Sequence, residues 1–263
     1  MTRIGLIGGG KMAEALISRL GAPHKIIASD ISRQRLNYLR KKYKIKITTD
    51  NLDVFSSAEV VILAVKPQNM AGVLMGLRNA ERVTSKRKII ISIAAGVPIN
   101  YLQKNLPGCQ IIRTMPNNPS LVGAGMTAIA KGKSVTRYAL RVTKRIFETV
   151  GEVIEVPERL MDAVTGLSGS GPAYVYLMIE ALASAGEKLG IAKKEAEKLA
   201  VQTVLGAAKT MRETGKTAKE LIAMVTSPGG TTIEGLKVLE KRKFSEAIVS
   251  AVKAAAEKSK KLK

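Results

Sequence analysis

The sequence predicts an α/β fold, a doubly wound sheet covered by helices and followed by an all-α domain. Short runs of Ile and Val alternate with helical patterns through the first half of the chain. These runs are almost wholly apolar, which indicates parallel strands buried on both faces. After Pro157 only helical periodicity remains. We therefore predict one domain at 1–156 and a second at 157–263.

The elements of the first domain follow from these patterns in order. The predicted strands are Arg3–Ile7, Lys25–Ser29, Ile45–Thr48, Val60–Val65, Ile89–Ile93 and Gln110–Thr114. The predicted helices are Met12–Leu20, Ser32–Tyr43, with Ser32 as its N-cap, and Val135–Thr149. Met126–Ala130 and Glu152–Val156 are expected to add edge strands on either side of the last helix.

The second domain is predicted to contain helices only. They are Ala173–Leu189, Lys193–Met211, Lys219–Val225, Thr232–Lys241 and Phe244–Lys258. Their Ala-rich faces suit close helix packing, and they are more apolar than a solvated bundle needs. We interpret this surplus as a dimerisation surface.

Charge is the strongest bias in the composition. The 263 residues carry a formal net charge of +22. This charge suggests a nucleic-acid binder, but the basic residues are spread along the chain. Only 258–263 forms a dense cluster, and no aromatic residues are interleaved with it. We favour a solvated, Lys-rich surface that also attracts anionic ligands.

The counts of histidine and cysteine argue against several further kinds of functional site. His24 is the only histidine and Cys109 the only cysteine, which argues against a His-based triad, a His-rich metal site and an intrachain disulfide. Cys109 is expected in the core or at a strand edge. No apolar run reaches the ~20 residues that span a bilayer, and the N-terminus does not resemble a signal peptide. We expect a cytoplasmic protein with no bound metal.

A glycine motif carries the first chemistry. Gly8, Gly10 and Ala13 form G-x-G-x-x-A between a predicted strand and a predicted helix. Gly8 permits a tight turn, Gly10 lets the backbone approach a pyrophosphate, and the helix N-terminus points N–H groups at it. The first domain is therefore predicted to be a Rossmann-type domain that binds a dinucleotide.

The choice of dinucleotide stays open in the sequence. Asp30 ends the second strand, twenty residues after Gly10, where an acidic residue usually binds the adenosine ribose and favours NAD. Ser29, Ser32 and Arg33 are instead suited to a 2′-phosphate and favour NADP. Asp30 also has a simpler interpretation, which is help in capping the next helix.

Five segments resemble pyrroline-5-carboxylate reductases over nearly the whole chain. They are Gly8–Ala13, Ala64–Pro67, Met115–Pro119, Asp162–Tyr174 and Ser227–Ile233. The resemblance implies reduction of 1-pyrroline-5-carboxylate to L-proline with NADPH or NADH. It also implies a Rossmann domain, a helical domain that forms a homodimer, and possible rings of dimers.

Residue roles follow from the resemblance, position by position. The pyrophosphate is assigned to Ile7, Gly8, Gly9, Gly10, Lys11 and Met12. The adenosine half is assigned to Ser29, Asp30 and Asn51. The nicotinamide is assigned to Ala64, Val65, Lys66, Pro67, Ala94 and Ala95. The substrate carboxylate is assigned to Ser227, Gly229, Gly230, Thr231 and Thr232, with Thr232 as the catalytic residue beside the ring nitrogen.

Physical chemistry supports the assignment of the substrate loop. Gly229 and Gly230 expose backbone N–H groups, and a helix is expected to begin at Thr231 or Thr232, which makes a carboxylate site.

Two alternative functions remain open in the sequence. One is another Rossmann-plus-helical dehydrogenase with a catalytic Lys early in the helix that opens the second domain, where this chain has no Lys before Lys188. The other is a basic nucleotide- or nucleic-acid-binding regulator.

Overall fold

The computed structural model describes residues 2–21, 24–81 and 88–262. Lys263, the last residue of the predicted basic cluster, lies outside these ranges. Contacts divide the chain into two units: unit 1 comprises 1–170 and 253–263, and unit 2 comprises 171–252. The predicted boundary between 156 and 157 stays a prediction.

Unit 1 contains an eight-stranded sheet in the order β3-β2-β1-β4-β5-β6-β7-β8. The strands are β1 (Arg3–Ile7), β2 (Lys25–Ser29), β3 (Lys46–Thr48), β4 (Val60–Leu63), β5 (Ile89–Ser92), β6 (Gln110–Met115), β7 (Gly125–Lys131) and β8 (Gly151–Glu155). The first six are parallel, β7 is antiparallel to β6, and β8 is parallel to β7. The order confirms the doubly wound topology, because the chain runs outward from β1 in both directions. Only β8 is an edge strand at that end, so the edge position expected for β7 is wrong.

The helices of unit 1 cover both faces of this sheet. They are α1 (Lys11–Leu20), α2 (Arg33–Tyr43), α3 (Asn51–Ser57), α4 (Met70–Glu81), α5 (Ile99–Asn105), α6 (Arg137–Glu148) and α7 (Met161–Val164). A 3-10 turn at Pro67–Asn69 precedes α4, others lie at Asn118–Val122 and Glu158–Leu160, and a π-helical turn follows at Thr165–Gly169. Two apolar cores result, one on each face of the sheet, and Cys109 is buried in one of them as expected.

Gly5 shows how closely a helix can approach this sheet. A Cβ at Gly5 would lie 2.5 Å from Val54 Cγ1 and 2.9 Å from Ala58 Cβ. The glycine in the middle of β1 therefore lets α3 pack directly on the strand that leads into the glycine loop.

Unit 2 consists of helices. They are α8 (Gly171–Lys188), α9 (Lys193–Thr214), α10 (Ala218–Met224), α11 (Thr231–Lys241) and the first part of α12 (Phe244–Lys260), whose last residues belong to unit 1. A Cβ at Gly186 would lie 3.1 Å from Ala196 Cβ, so α8 and α9 pack closely through small residues, as the sequence predicts. No helix in the described part of the chain is long and apolar enough to span a membrane.

Candidate active site

The glycine loop between β1 and α1 is fixed by contact with the loop that follows β4. Gly8 has a φ of +102°, and a Cβ there would lie 2.6 Å from the carbonyl oxygen of Ala64. The Ala64 N–H also donates to the Ile7 carbonyl at 2.8 Å. Any other residue at position 8 would strain the backbone and clash. The structure thus brings together the loops assigned to the pyrophosphate and the nicotinamide.

The start of α1 presents backbone N–H groups that no described side chain caps. Gly10 is the N-cap and has no side chain to offer, and a Cβ there would meet nothing within 4 Å. The Glu14 N–H bonds to the Gly10 carbonyl, so the N–H groups of Lys11 and Met12 precede the first helical hydrogen bond. Open space, free donors and the positive end of the helix dipole together fit a diphosphate.

Asp30 braces the glycine loop. Its Oδ2 accepts the Gly9 N–H at 2.7 Å, and its Oδ1 accepts the Ser32 N–H at 2.8 Å. Ser32 in turn caps α2 by accepting the Arg35 N–H. The sequence anticipated a role for Asp30 near the next helix but not the bond to Gly9. Each carboxylate oxygen has a further lone pair, so contact with an adenosine ribose stays a prediction.

Ser29 and Asn51 meet at the carboxyl end of β2. The fully buried Ser29 hydroxyl donates to Asn51 Oδ1 at 2.7 Å. Asn51 is placed there because the Asp50 side chain caps α3 by accepting the Leu52 N–H. Two of the three residues assigned to the adenosine half therefore touch, beside the brace formed by the third.

The loops after β4 and β5 lie at the same edge of the sheet. β4 ends at Leu63 and β5 at Ser92, earlier than predicted, because the backbone turns away into these loops. Lys66 is exposed and its carbonyl accepts the Asn69 N–H of the 3-10 turn that Pro67 begins. Ala94 is buried and its N–H donates to Ser92 Oγ at 3.3 Å. Both loops therefore lie at the edge where parallel α/β sheets bind ligands.

One part of this site had no counterpart in the sequence prediction. Arg35 on α2 donates its Nε–H to the Gly9 carbonyl and an Nη2–H to the Gly10 carbonyl at 3.3 Å. The same Nη2 lies 2.6 Å from Glu14 Oε2. Arg35 thus binds two consecutive carbonyls of the glycine loop from α2. The helical spacing of Arg35, Tyr38 and Lys42 indicates a shared face, but nothing in the sequence links that face to Glu14.

Glu14 is the centre of this cluster. Its burial by itself raises the pKa of the carboxyl. Hydrogen bonds from Arg35, Tyr43, Tyr38 and Lys42 outweigh burial and lower the pKa of Glu14 to about 2. The Glu14 side chain is therefore a carboxylate at neutral pH, and it is bound by these four donors rather than by the start of α1.

The second glycine loop lies in unit 2, before α11. Gly229 has a φ of +72°, and the Gly230 N–H donates to the Ser227 carbonyl at 2.9 Å. A Cβ at Gly230 would lie 2.6 Å from Ser227 Oγ and 3.0 Å from the Ser227 carbonyl oxygen, so a side chain there would displace the Ser227 hydroxyl. Gly230 is the N-cap of α11 and supplies no capping side chain, and the helix begins at Thr231, as expected.

Exposed polar groups surround this second helix start. Ser227, Gly229, Thr231 and Thr232 are exposed and Gly230 is half-buried. The backbone N–H groups at the start of α11 and the Ser227 hydroxyl are grouped within one turn, which is the arrangement that binds a small carboxylate. The residues assigned to the dinucleotide all belong to unit 1, and those assigned to the substrate carboxylate all belong to unit 2.

Comparison with known proteins identifies the family. A family model described as pyrroline-5-carboxylate reductase dimerisation matches residues 158–262, and one described as NADP oxidoreductase, coenzyme F420-dependent, matches residues 3–96. A pyrroline-5-carboxylate reductase from Synechocystis is 49% identical, over 99% of this chain and 98% of the relative. The chain belongs to the pyrroline-5-carboxylate reductase family.

Solved structures of the pyrroline-5-carboxylate reductase family have the same fold. The enzyme from Coxiella burnetii is 38% identical with a TM-score of 0.90, covering 99% of this chain and 98% of its own. The Plasmodium falciparum enzyme, solved with NADP bound, is 31% identical with a TM-score of 0.89 over the same shares. The family and the fold predicted from the sequence are both confirmed, whereas the roles of individual residues stay predictions.

Proposed function

We propose that this chain reduces 1-pyrroline-5-carboxylate to L-proline with NADPH or NADH. The observation that carries the proposal is the pair of glycine-lined helix starts, at α1 and α11, in a chain that matches a member of this family over 98% of that member's length. One helix start suits a diphosphate and the other a small carboxylate. These are the two anionic groups that the reaction brings to the protein.

The dinucleotide-binding roles rest on residues of unit 1. The N–H groups at Gly10, Lys11 and Met12 would hold the diphosphate, with Ile7, Gly8 and Gly9 shaping the turn. Ser29, Asp30 and Asn51 would contact the adenosine half. Ala64, Val65, Pro67, Ala94 and Ala95 would border the nicotinamide, and Lys66 would contribute through its backbone. When bound, the reduced dinucleotide supplies the hydride.

The substrate-binding roles rest on unit 2. Ser227, Gly229 and Thr231 would hold the carboxylate through the hydroxyl and backbone N–H groups, while Gly230 closes the turn around it. Thr232 lies one residue into α11, and its exposed hydroxyl would contact the ring nitrogen. Holding the carboxylate and the nitrogen together fixes the orientation of a five-membered ring, because these groups are attached to the same part of it.

The proposed reaction requires little proton transfer by side chains of the protein. A protonated iminium is already electrophilic, so no strong general acid is required, which agrees with a chain whose single histidine is His24. The residues would act by positioning, which contributes up to about 7–11 kcal/mol when two reactants are held in contact. Thr232 would orient the nitrogen and stabilise the amine that forms.

We also propose a homodimer built through unit 2, with rings of dimers as a further possibility, and a cytoplasmic location. The dimer is supported by the apolar surface of the unit. Among its described residues only Ala183, Ala196 and Ala200 are buried apolar side chains, while Leu177 and Leu205 are 66% and 57% exposed. Patches of this kind mark protein–protein interfaces.

The preference between NADPH and NADH is open to a direct experiment. Oxidation of each coenzyme is followed side by side with 1-pyrroline-5-carboxylate, and the product is identified as L-proline. We expect imine-dependent oxidation of at least one coenzyme. A folded, purified sample that consumes neither would contradict the proposed function.

A further inference from the structure

The last turn of the chain packs on the loop that follows β5. Gly96 has a φ of +75°, and a Cβ there would lie 2.7 Å from Leu262 Cβ and 2.8 Å from the Ser259 carbonyl oxygen. Gly96, Ser259 and Leu262 all belong to unit 1. Position 96 must therefore be glycine both for its backbone conformation and for the approach of the terminal turn.

Ser259 connects this turn to a partly buried charge cluster. It is 1% exposed, and its hydroxyl donates to Asp162 Oδ1 at 2.8 Å. The same oxygen lies 3.4 Å from Nη2 of Arg113, which is 4% exposed. Arg113 Nη1 lies 3.6 Å from Glu158 Oε1.

The contacts then return to the loop where they began. Glu158 Oε1 accepts the Ile99 N–H at 2.6 Å, three residues beyond Gly96. The result is a closed circuit, here called the terminal ring, which consists of Gly96, Ile99, Arg113, Glu158, Asp162 and Ser259. It holds the segment 96–99 at both ends, once by packing and once by a hydrogen bond.

The terminal ring borders the residues assigned to the nicotinamide. Ala94 and Ala95 directly precede Gly96. A cavity of about 450 Å³ has Pro67 and Gln68 of the loop after β4 in its wall, together with Val97, Pro98, Lys261 and Leu262. The terminal turn therefore lines the space between the two loops that are expected to contact the nicotinamide.

A contribution to the stability of the fold does not by itself explain the terminal ring. A buried ion pair often contributes no more than apolar residues of the same size would, because desolvation opposes its attraction. What hydrogen-bonded charges do supply is a fixed geometry. Loops are otherwise the least stable parts of a domain. We therefore expect the terminal ring to restrict the conformations of the loop 96–99 that it binds.

We propose that Ser259, together with the last turn of α12, is a positioning residue that holds Ala94 and Ala95 in place for the nicotinamide half of the dinucleotide. The proposal rests on the proposed function, because it takes the nicotinamide to lie at these loops. It assigns the end of the chain to the cofactor site of unit 1, although unit 1 otherwise ends at Ser170.

The test compares binding of the preferred reduced dinucleotide with binding of the matching ADP-ribose, which lacks the nicotinamide. Calorimetry is used on the unchanged 263-residue chain and on its Ser259→Ala variant. Ser250→Ala is the matched control, because Ser250 is an exposed serine on the same helix. A merely structural role would weaken both ligands alike, so the comparison isolates the nicotinamide end.

We expect Ser259→Ala to weaken dinucleotide binding by about 2-fold to 30-fold, the range of a positioning contact. ADP-ribose binding should stay unchanged, and Ser250→Ala should affect neither ligand. Equal losses for both ligands, or no loss for either, would overturn the proposal. If wild-type protein binds the dinucleotide but does not reduce the imine, the proposed function fails. The binding comparison would still show whether Ser259 affects the nicotinamide end of the dinucleotide.

A double-mutant cycle gives a second, independent measurement on dinucleotide binding. It combines Gly96→Ala with removal of residues 259–263. Because the added methyl group clashes with the terminal turn, removing that turn should relieve part of the damage, and the two effects should be less than additive. Fully additive effects would show that Gly96 and the terminal turn act separately and would contradict the proposal.

Discussion

At the scale of single residues, the site is built from atoms whose contacts a sequence motif does not reveal. The glycine pattern predicts a turn that admits a diphosphate, and Gly8 and Gly10 have the geometry it requires. The pattern does not predict that Asp30 binds the Gly9 N–H or that Arg35 binds the Gly9 carbonyl. These partners come from a different strand and helix, and only the folded chain brings them to the loop.

Thr232→Ala tests the residue assigned to the substrate nitrogen. Loss of the hydroxyl should reduce kcat/KM for the imine by about 10-fold to 100-fold, the effect of one hydrogen bond that strengthens in the transition state. Dinucleotide affinity should change little, because the residues assigned to the dinucleotide lie in unit 1. Steady-state kinetics and calorimetry check the two halves of the prediction. Thr210→Ala, an exposed threonine of α9, is the control, and wild-type turnover of Thr232→Ala would remove the residue from the mechanism.

Glu14 predicts a pH dependence of stability. Its pKa is lowered to about 2 in the folded chain, so its contribution is present above its unfolded value of 4.5 and is lost as the pH falls through about 2. The shift corresponds to about 3 kcal/mol. We expect the free energy of unfolding to fall between pH 6 and pH 2 by about that much more in wild type than in Glu14→Gln.

Urea unfolding at several pH values measures this difference. Glu152→Gln, at an exposed position of β8, serves as the control and should follow the wild-type pH dependence. If Glu14→Gln lost stability with acid as steeply as wild type, the cluster around Glu14 would not hold it as a carboxylate.

At the scale of elements, the sequence predicts those with a long, regular pattern and misses the short ones. The strands and the long helices have nearly the predicted bounds, but α3, α4 and α5 were not predicted. α3 and α5 have only seven residues each, and α4 contains Gly72 and Gly76, which lower helix propensity. Their helical form depends on capping and on burial against the sheet, as with Val54 and Phe55 of α3. Tertiary packing, which local periodicity does not contain, decides these cases.

The turn before α11 is the element whose proposed role in binding the substrate carboxylate can be tested by substitution. Gly230→Ala places a methyl group against Ser227 Oγ and should push that hydroxyl away from the start of the helix. We expect KM for the imine to rise about 10-fold or more, since a charge-assisted contact is lost, while dinucleotide binding is kept. Gly235→Ala is the control in the same helix: its methyl group meets nothing within 4 Å, and it should stabilise the helix by up to about 1 kcal/mol. An unchanged KM in Gly230→Ala would contradict the carboxylate site.

At the scale of the whole molecule, composition predicts a surplus of apolar surface in the helical domain, and the exposed apolar side chains of unit 2 agree with it. The contacts divide the chain after Ser170 and again before Lys253, whereas the domain boundary between 156 and 157, placed where strand signals end, stays a prediction. Helical periodicity cannot tell which unit a helix packs on, because α12 has the same pattern along its length. The described part of the fold does not indicate which anionic ligand or partner the net charge of +22 would attract.

The apolar surface of unit 2 predicts an oligomer that one charge can weaken. Leu177→Glu places a carboxylate on the exposed face of α8 and should shift the protein toward monomer, because an unpaired charge is costly in an apolar interface. Met75→Glu, at a position of α4 in unit 1 that is 75% exposed, is the control. Sedimentation velocity over a range of concentrations measures both. A wild-type protein that stays monomeric at micromolar concentration would contradict the proposed dimer.

The central claim is that a hydride passes directly from the coenzyme to the imine carbon of the substrate. Its most direct test uses NADPH or NADH carrying deuterium on the transferred position of nicotinamide C4, with mass spectrometry of the proline formed. We predict one deuterium in L-proline, on the ring carbon that was double-bonded to nitrogen, and none on that carbon when unlabelled coenzyme is used in heavy water. Unlabelled proline from the labelled coenzyme, or solvent deuterium at that carbon, would contradict the account.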